Sequence, residues 1–383
     1  MKRSQLPPAT LLLQDGTVFH GMGGGKKGTA TGEICFNTGM TGYQEIFTDP
    51  SYYGQILVTT TSHIGNYGIH PEEVESSSIQ VSGLVCKKFS DTFSRHSANG
   101  TIQDYFSSFD IPVLCDADTR SIVRHIRDKG AMNAVISSEY SDISELKKIV
   151  ARIPSMQGLE LSSNVTSKRQ WSYGNQDAGL RVAVLDLGVK MNILRCLTDC
   201  GCFLHVFPMQ TPFEEMMKIN PDGFLLSNGP GDPAAMKDTI ATVKKILAGN
   251  IPVFGICLGY QVLGLSCGLP TFKMHNGHRG VNHPVKNLIT GLCEVTSQNH
   301  GFAVSLDDAR KNPGIEITHI HLNDGTLAGF RLKNKSAFGV QYHPEASAGP
   351  HDSRYLFDRF IENMRFRKTG TQTISKTENN IRI

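Results

Sequence analysis

Phe254-Gly255-Ile256-Cys257-Leu258-Gly259-Tyr260-Gln261 is the stretch from which the rest of the chain can be read. The apolar run Ile251 to Ile256 predicts a buried strand, and Leu258 to Cys267 predicts a helix. At their junction a cysteine stands between glycines two residues before and two residues after. That is the G-x-S-x-G spacing of a nucleophile elbow, with a thiol in place of the hydroxyl. A sharp strand-to-helix turn leaves little room at the flanking positions. The helix that follows points free N–H groups and its positive end at the sulfur, which favours a thiolate and suits an oxyanion. The competing reading is a buried structural cysteine in a glycine-rich turn, so the surroundings must decide.

Around this stretch the chain has a regular rhythm. Leu180–Asp186 reads as a strand, Lys190–Cys200 as a helix, Cys202–Phe207 as a strand and Pro212–Ile219 as a short helix. Gly223–Ser227 is a third strand and Asp232–Ala248 a helix. Strands alternating with helices of this length predict an α/β domain with a mostly parallel central sheet. Short strands follow (Cys293–Ser297, Ala303–Ser305, Ile315–His319, Leu327–Leu332, Ala337–Tyr342), then a helix over Ser353–Met364. The first half reads as a smaller mixed α/β domain of short strand-like pieces, with helices near Asp104–Phe106 and Thr119–Asp128. The expected organisation is an amino-terminal domain over 1–155, a linker over 156–179, the α/β domain over 180–366 and a polar tail over 367–383.

Two further constellations belong with the elbow. Tyr342-His343-Pro344-Glu345-Ala346 follows an apolar strand and supplies a base. If the segment stays extended, positions two apart share a face, so Glu345 could accept the Nδ1–H of His343 and fix its tautomer. Leu226-Ser227-Asn228-Gly229-Pro230-Gly231-Asp232-Pro233 lies between a strand and a helix, where open α/β sheets place ligands, and its turn can face N–H groups toward an oxyanion. Ser297-Gln298-Asn299-His300-Gly301-Phe302 reads as a polar loop with donors that could line the same cleft.

Composition bounds the possibilities. Of 383 residues, 38 are basic and 35 acidic, giving +3, so no nucleic-acid footprint is expected. Nine cysteines, an odd number in a long chain, favour a reducing, cytoplasmic setting over a disulfide framework. Leu11–Leu13 is too short an apolar run for a signal peptide. Asn250–Phe272 is uncharged, but its glycines, prolines and Gln261 favour buried core over a membrane span. Other signals are weaker. Gly23 to Gly28 matches G-x-G-x-x-G but precedes a strand-like segment, where a dinucleotide fingerprint needs a helix. Cys196, Cys200 and Cys202 read as core. His275, His278 and His283 sit in a polar stretch without acidic company, so no metal site is expected.

Together, Gly255–Gly259, Asn228–Pro233 and His343-Pro344-Glu345 resemble the class I (triad) glutamine amidotransferase domain. Gly32-Glu33-Ile34-Cys35-Phe36-Asn37-Thr38-Gly39-Met40-Thr41-Gly42-Tyr43-Gln44-Glu45, Thr48-Asp49-Pro50-Ser51-Tyr52 and Gly280–Val285 resemble the carbamoyl-phosphate synthase small-chain family, as do Gln298–Val304 and His343–Ser347. The likeness extends over nearly all of residues 9–366. It implies that Cys257 attacks the side-chain amide of L-glutamine, that His343 moves the proton, and that Glu345 orients His343. It also implies that Ser51, Gly229, Gly231, Leu258, Gln261, Asn299, Gly301 and Phe302 contact the glutamine. No cofactor is expected in this chain. A large partner subunit would use ATP, Mg and bicarbonate to make carbamoyl phosphate for pyrimidine and arginine biosynthesis. Tyr260 and Gly39 depart from the usual His and Ser, which bears on binding or interface contacts. A stand-alone γ-glutamyl hydrolase would not need the first domain, and a silent regulatory subunit should have lost Cys257 or its base.

Overall fold

The computed structural model describes residues 6–346 and 348–370. Ser347 of the quoted motif, the basic tip before residue 6, and the tail from 371 onward lie outside the described residues. Among the described residues, strands form a closed seven-stranded barrel, a ten-stranded sheet and a two-stranded ribbon.

The barrel runs Pro8–Leu13, Val18–Gly25, Pro112–Cys115, Gly83–Val85, Gln55–Thr59, Thr29–Asn37 and Met132–Ser137, then back to the first strand. Alternation along Pro8–Leu13 explains the closure. Leu11 and Leu13 join the cluster containing Ile34, Ile56, Val58 and Ile136, whereas Leu12 faces the helix Ile143–Val150 through Leu146 and Val150. The cluster holding Leu11 is sealed by Ile122 and Ile126 of the helix Thr119–Lys129, which starts on the Asp118 side chain and ends at Gly130. The glycine-rich stretch Gly23–Gly25 lies within the second strand, and a strand, Thr29–Asn37, follows it.

The large sheet has a parallel centre, Cys202–Pro208, Leu180–Asp186, Gly223–Leu226, Val253–Ile256 and Ala337–Val340, in that order. Its strands are buried on both faces, as parallel strands covered by helices must be. Ala183 and Leu185 pack with the helices Lys237–Ala248 and Leu258–Ser266. Val182 and Val184 pack with Met191–Asp199 and Tyr355–Thr369. Phe254 stacks on Phe338 at 4.6 Å and meets Phe357 edge-on, so the strand leading into the elbow is held from two sides. Truncating a ring of this kind costs about 3–5 kcal/mol. The uncharged stretch Asn250–Phe272 is this strand and helix, and no helix among the described residues is long and apolar enough to cross a membrane.

Beyond the parallel centre the sheet turns antiparallel, and here the structure corrects the sequence reading. The polar segment bearing His275, His278 and His283 is a single strand, Thr271–Asn287. The polar "loop" Ser297–Phe302 lies inside its partner strand, Cys293–Val304. Most side chains of Thr271–Asn287 are only half-buried on either face, so the alternation that betrays a strand is missing. The stretch 156–179 also carries structure: Trp171–Tyr173 adds an edge strand, and Asp232 bonds the backbone at Gly158 and Leu159.

Candidate active site

Val253–Ile256 and Ala337–Val340 are parallel neighbours, so their carboxyl ends emerge side by side. Cys257 follows the first and His343 the second. Cys257 has φ 52° and ψ −106°, a conformation that L-residues rarely adopt. Its N–H donates to the Val340 carbonyl at 2.9 Å, and the Gly259 N–H donates to the Ser227 carbonyl at 2.9 Å. A Cβ at position 259 would fall 2.1 Å from the Leu226 carbonyl oxygen, so only glycine lets the helix start this close to the neighbouring strand. Position 229 is equally tight, with a Cβ there 2.0 Å from the Leu187 oxygen.

His343 and Glu345 do meet, though not on an extended strand. The strand ends at Val340. His343 forms an isolated bridge to Ser297, and the chain then turns, with Ala346 N–H donating to the His343 carbonyl at 3.1 Å. Within that turn, His343 Nδ1 donates to Glu345 Oε1 at 2.7 Å. The carboxylate only accepts, so the neutral ring presents a lone pair at Nε2, an atom that is buried without a hydrogen-bond partner. Burial opposes charge on this ring, but Glu345 and Cys257 outweigh it and push His343 up to about 10. The ring is therefore built to hold a proton when sulfur carries negative charge. The Cys257 sulfur lies 3.6 Å from the Asn299 carbonyl and 3.9 Å from Gln341 Nε2.

Glu345 is itself neutralised by a residue the sequence reading passed over. Lys190 Nζ lies 3.0 Å from Glu345 Oε1, and both side chains are buried. Asp186 shapes the turn into Lys190 by accepting from the Gly188 and Val189 N–H groups at 2.9 and 2.8 Å. Lys190 sits at the N-terminus of the helix Met191–Asp199, where the helix dipole disfavours a cation. Burial opposes its charge too, yet Glu345, Glu75 and Asp49 raise its pKa. Glu75, from the first half of the chain, accepts from the Asn192 N–H at 2.9 Å through Oε2 and from the Met191 N–H at 3.0 Å through its carbonyl. One domain thus caps a helix of the other. Only a lone lysine beside Asn192 at a helix start marked this in the sequence.

A small cleft opens in front of Cys257. Among the residues expected to bind substrate, it is lined by Ser51, Gly229, Gly231, Gln261, Asn299, Gly301 and Phe302. The Leu258 side chain points into the core, leaving only its backbone to serve the site. The barrel half contributes directly. Ser51 Oγ accepts from Asn228 Nδ2 at 2.9 Å, and Asp49 Oδ2 accepts from Asn299 Nδ2 at 2.9 Å. Gln261 Nε2 is anchored on the Phe302 carbonyl at 2.7 Å. Two charged residues that the sequence reading did not select also line the cleft. Glu33, tied to Lys273 at 2.7 Å, leaves Oε1 unpartnered, and Arg279 leaves Nε unpartnered.

Other expectations resolve simply. Tyr260 is fully buried against Phe330, away from the cleft, and its hydroxyl has no partner. All nine thiols are free. The histidine stretch does have acidic company, because Asp324 accepts from His278 Nε2 at 2.9 Å. His275 stays exposed, apart from that contact.

Two family models match the chain: glutamine amidotransferase class-I over residues 183–363, and carbamoyl-phosphate synthase small chain, CPSase domain, over residues 11–136. Three bacterial proteins named carbamoyl phosphate synthase small chain are similar throughout. The one from Synechococcus sp. is 46% identical over 380 residues, covering 96% of each chain. That from Thermosynechococcus vestitus is 48% identical over 372 residues, 94% of this chain and 97% of the relative. That from Chlorobaculum tepidum is 47% identical over 360 residues, 93% of this chain and 98% of the relative.

Proposed function

Since the chain belongs to the carbamoyl-phosphate synthase small-chain family, we propose that it is the glutaminase subunit of that enzyme, with Cys257, His343 and Glu345 as its catalytic residues. The observation that carries this reading is the arrangement at the elbow. A strained cysteine at a helix N-terminus faces an imidazole whose Nδ1 is fixed by Glu345 and whose Nε2 is unpartnered.

The reaction follows from those atoms. Cys257 Sγ forms a bond to the side-chain amide carbon of L-glutamine as His343 Nε2 takes the thiol proton. The oxyanion is stabilised by the Leu258 N–H and the Gly229–Gly231 turn. The C–N bond then breaks, His343 gives its proton to the leaving nitrogen, and ammonia departs from a γ-glutamyl thioester. Water adds to the thioester with His343 again as base, releasing glutamate and the thiol. Glutamine is a zwitterion at its α-carbon, and the cleft offers a free Glu33 oxygen and the Arg279 guanidinium as opposite charges for it. Ser51, Gln261, Asn299, Gly301 and Phe302 complete the walls. A second, small pocket lined by Asp49, Lys190 and His343 lies beside the triad. The large subunit receives the ammonia and makes carbamoyl phosphate from bicarbonate and Mg-ATP, in the cytoplasm. This chain needs no cofactor of its own.

Cys257→Ser tests the assignment. In complex with the large subunit, glutamine-driven carbamoyl phosphate synthesis should vanish while ammonia-driven synthesis persists. Retained glutamine turnover, or loss of both activities in a folded complex, would overturn it.

A further inference from the structure

The helix start at Lys190 does more than neutralise a carboxylate. Asn192, two residues on, donates from Nδ2 to the Glu345 backbone carbonyl at 2.7 Å, while Lys190 Nζ meets the carboxylate of that same residue at 3.0 Å. One turn of helix therefore grips Glu345 by its main chain and by its side chain. The grip falls where the site has least support of its own. Beyond the strand ending at Val340, His343 and Glu345 sit in an irregular turn. Ala346, which follows, has φ 40°, a left-handed conformation that a residue with a Cβ keeps only where its surroundings impose it.

Both polar groups of the peptide between Glu345 and Ala346 are tied down. Its carbonyl accepts from Asn192, and its N–H donates to the His343 carbonyl at 3.1 Å. Removing the Asn192 amide strands a buried carbonyl, a cost that rotation of the peptide relieves. Such a rotation swings the Glu345 carboxylate and, through the 2.7 Å bond at Nδ1, the His343 ring. Asn192 is itself placed by the barrel half. At the second position of the helix Met191–Asp199 its N–H has no partner within the helix. Glu75 Oε2 accepts that N–H at 2.9 Å, and a carboxylate is the group a helix start favours. Glu75 is held in turn by Thr48, whose Oγ1 accepts from the Glu75 N–H at 2.9 Å. Contacts of 2.9, 2.7 and 2.7 Å thus lead from Glu75 through Asn192 and Glu345 to the imidazole.

We propose that Asn192 is a positioning residue for the triad, fixing the turn that aims Glu345 at His343, and that Glu75 of the barrel half sets where Asn192 stands. This rests on the reading of Cys257, His343 and Glu345 as the catalytic residues. Asn192 and Glu75 stand apart from the residues that line the cleft, so they act on turnover and leave glutamine affinity alone. Misplacing a reacting group by about 1 Å costs on the order of 100-fold in rate.

The test uses the full chain in complex with the large subunit and measures glutamine hydrolysis, with ammonia-driven synthesis as the check on an intact complex. Asn192→Ala should lower kcat about 10–100-fold and leave KM within about twofold of wild type. Glu75→Ala, remote from the triad, should lower kcat about tenfold by the same route. Glu75→Gln keeps an oxygen for the Asn192 N–H and should bring kcat back to within about threefold of wild type. Thr198→Val, on the same helix, removes a hydroxyl that bonds the Leu194 and Arg195 carbonyls and should change neither constant. An unchanged kcat in Asn192→Ala, a loss carried by KM, or Glu75→Gln as damaging as Glu75→Ala would overturn the proposal. Cys257→Ser, run alongside, separates the two levels. An inactive Cys257→Ser beside a fully active Asn192→Ala removes the positioning role alone, whereas glutamine turnover by Cys257→Ser removes the triad and this role with it.

Discussion

Replacing Lys190 with methionine removes a buried ammonium while keeping much of its stem, and so isolates the charge. At 3.0 Å from Glu345, the pair attracts with about 5.5 kcal/mol at an effective dielectric of about 20. Part of this is offset in the wild type by the cost of burying the ammonium, which methionine does not incur. Breaking one side of such a pair typically costs about 3–5 kcal/mol, because the other charge stays buried. Two further carboxylates, Glu75 and Asp49, also lose a countercharge. The pH dependence should change sign. In the wild type, the Glu345 pKa is lowered from 4.5 to about 2: burial raises it, but Lys190 and His343 outweigh burial. Its contribution is therefore present above about pH 4.5 and disappears as pH falls toward 2. In Lys190→Met the Glu75 carboxyl, already raised by burial, loses the ammonium that opposed burial, so its contribution is greatest at low pH and falls as pH rises. Denaturant unfolding at pH 5.5 and pH 8 measures this directly. A loss of 3 kcal/mol or more at pH 8, smaller at pH 5.5 and partly recovered by adding Glu75→Gln, is expected. A cost under about 1 kcal/mol at pH 8 with no pH dependence would refute the reasoning.

Further expectations rest on other parts of the structure. Burial holds the Glu45 carboxyl up at about 7, from an ordinary 4.5, so the folded chain binds its proton more tightly and stability falls by up to roughly 3 kcal/mol as pH climbs through that window. Glu45→Gln should flatten this part of the unfolding-versus-pH curve; an unchanged curve would contradict the assignment. Tyr260→Phe removes a fully buried hydroxyl with no partner, and should raise stability by about 1–2 kcal/mol; a loss of stability would show that the hydroxyl is satisfied. Gly259→Ala, which in most helices gains about 1 kcal/mol, should here lower the melting temperature and abolish glutamine hydrolysis, since its Cβ lands 2.1 Å from the Leu226 oxygen. A neutral result would mean the helix can retreat. Asp49→Ala strands the Asn299 amide that it holds at 2.9 Å and should raise the KM for glutamine about tenfold, with kcat less affected; an unchanged KM would remove Asn299 from the binding wall.

The elbow was legible because its glycines answer to local backbone crowding, which sequence spacing records. The parallel centre was legible for a similar reason, since strands buried on both faces read as continuous apolar runs. Thr271–Asn287 was not: its side chains meet one another and solvent rather than a core, so polarity mimics a loop. The closure of the barrel was hidden because it depends on a distant pairing, Pro8–Leu13 beside Met132–Ser137. His343 and Glu345 were paired correctly from the sequence for a reason that the structure replaces. They meet inside a turn, where two-residue spacing has no alternation to exploit. Lys190 could not be distinguished from an ordinary surface lysine, because its partners Glu345 and Glu75 come from opposite ends of the chain.

The contacts of Ser51 with Asn228 and of Asp49 with Asn299, together with the Glu75 cap on the helix at Lys190, make the two halves of the chain inseparable. A fragment bearing only the thiol half would carry every atom that breaks the amide, yet lack one wall of the cleft and one support of its charge relay. On these contacts, a clipped or half-synthesised chain should be a poor source of loose ammonia.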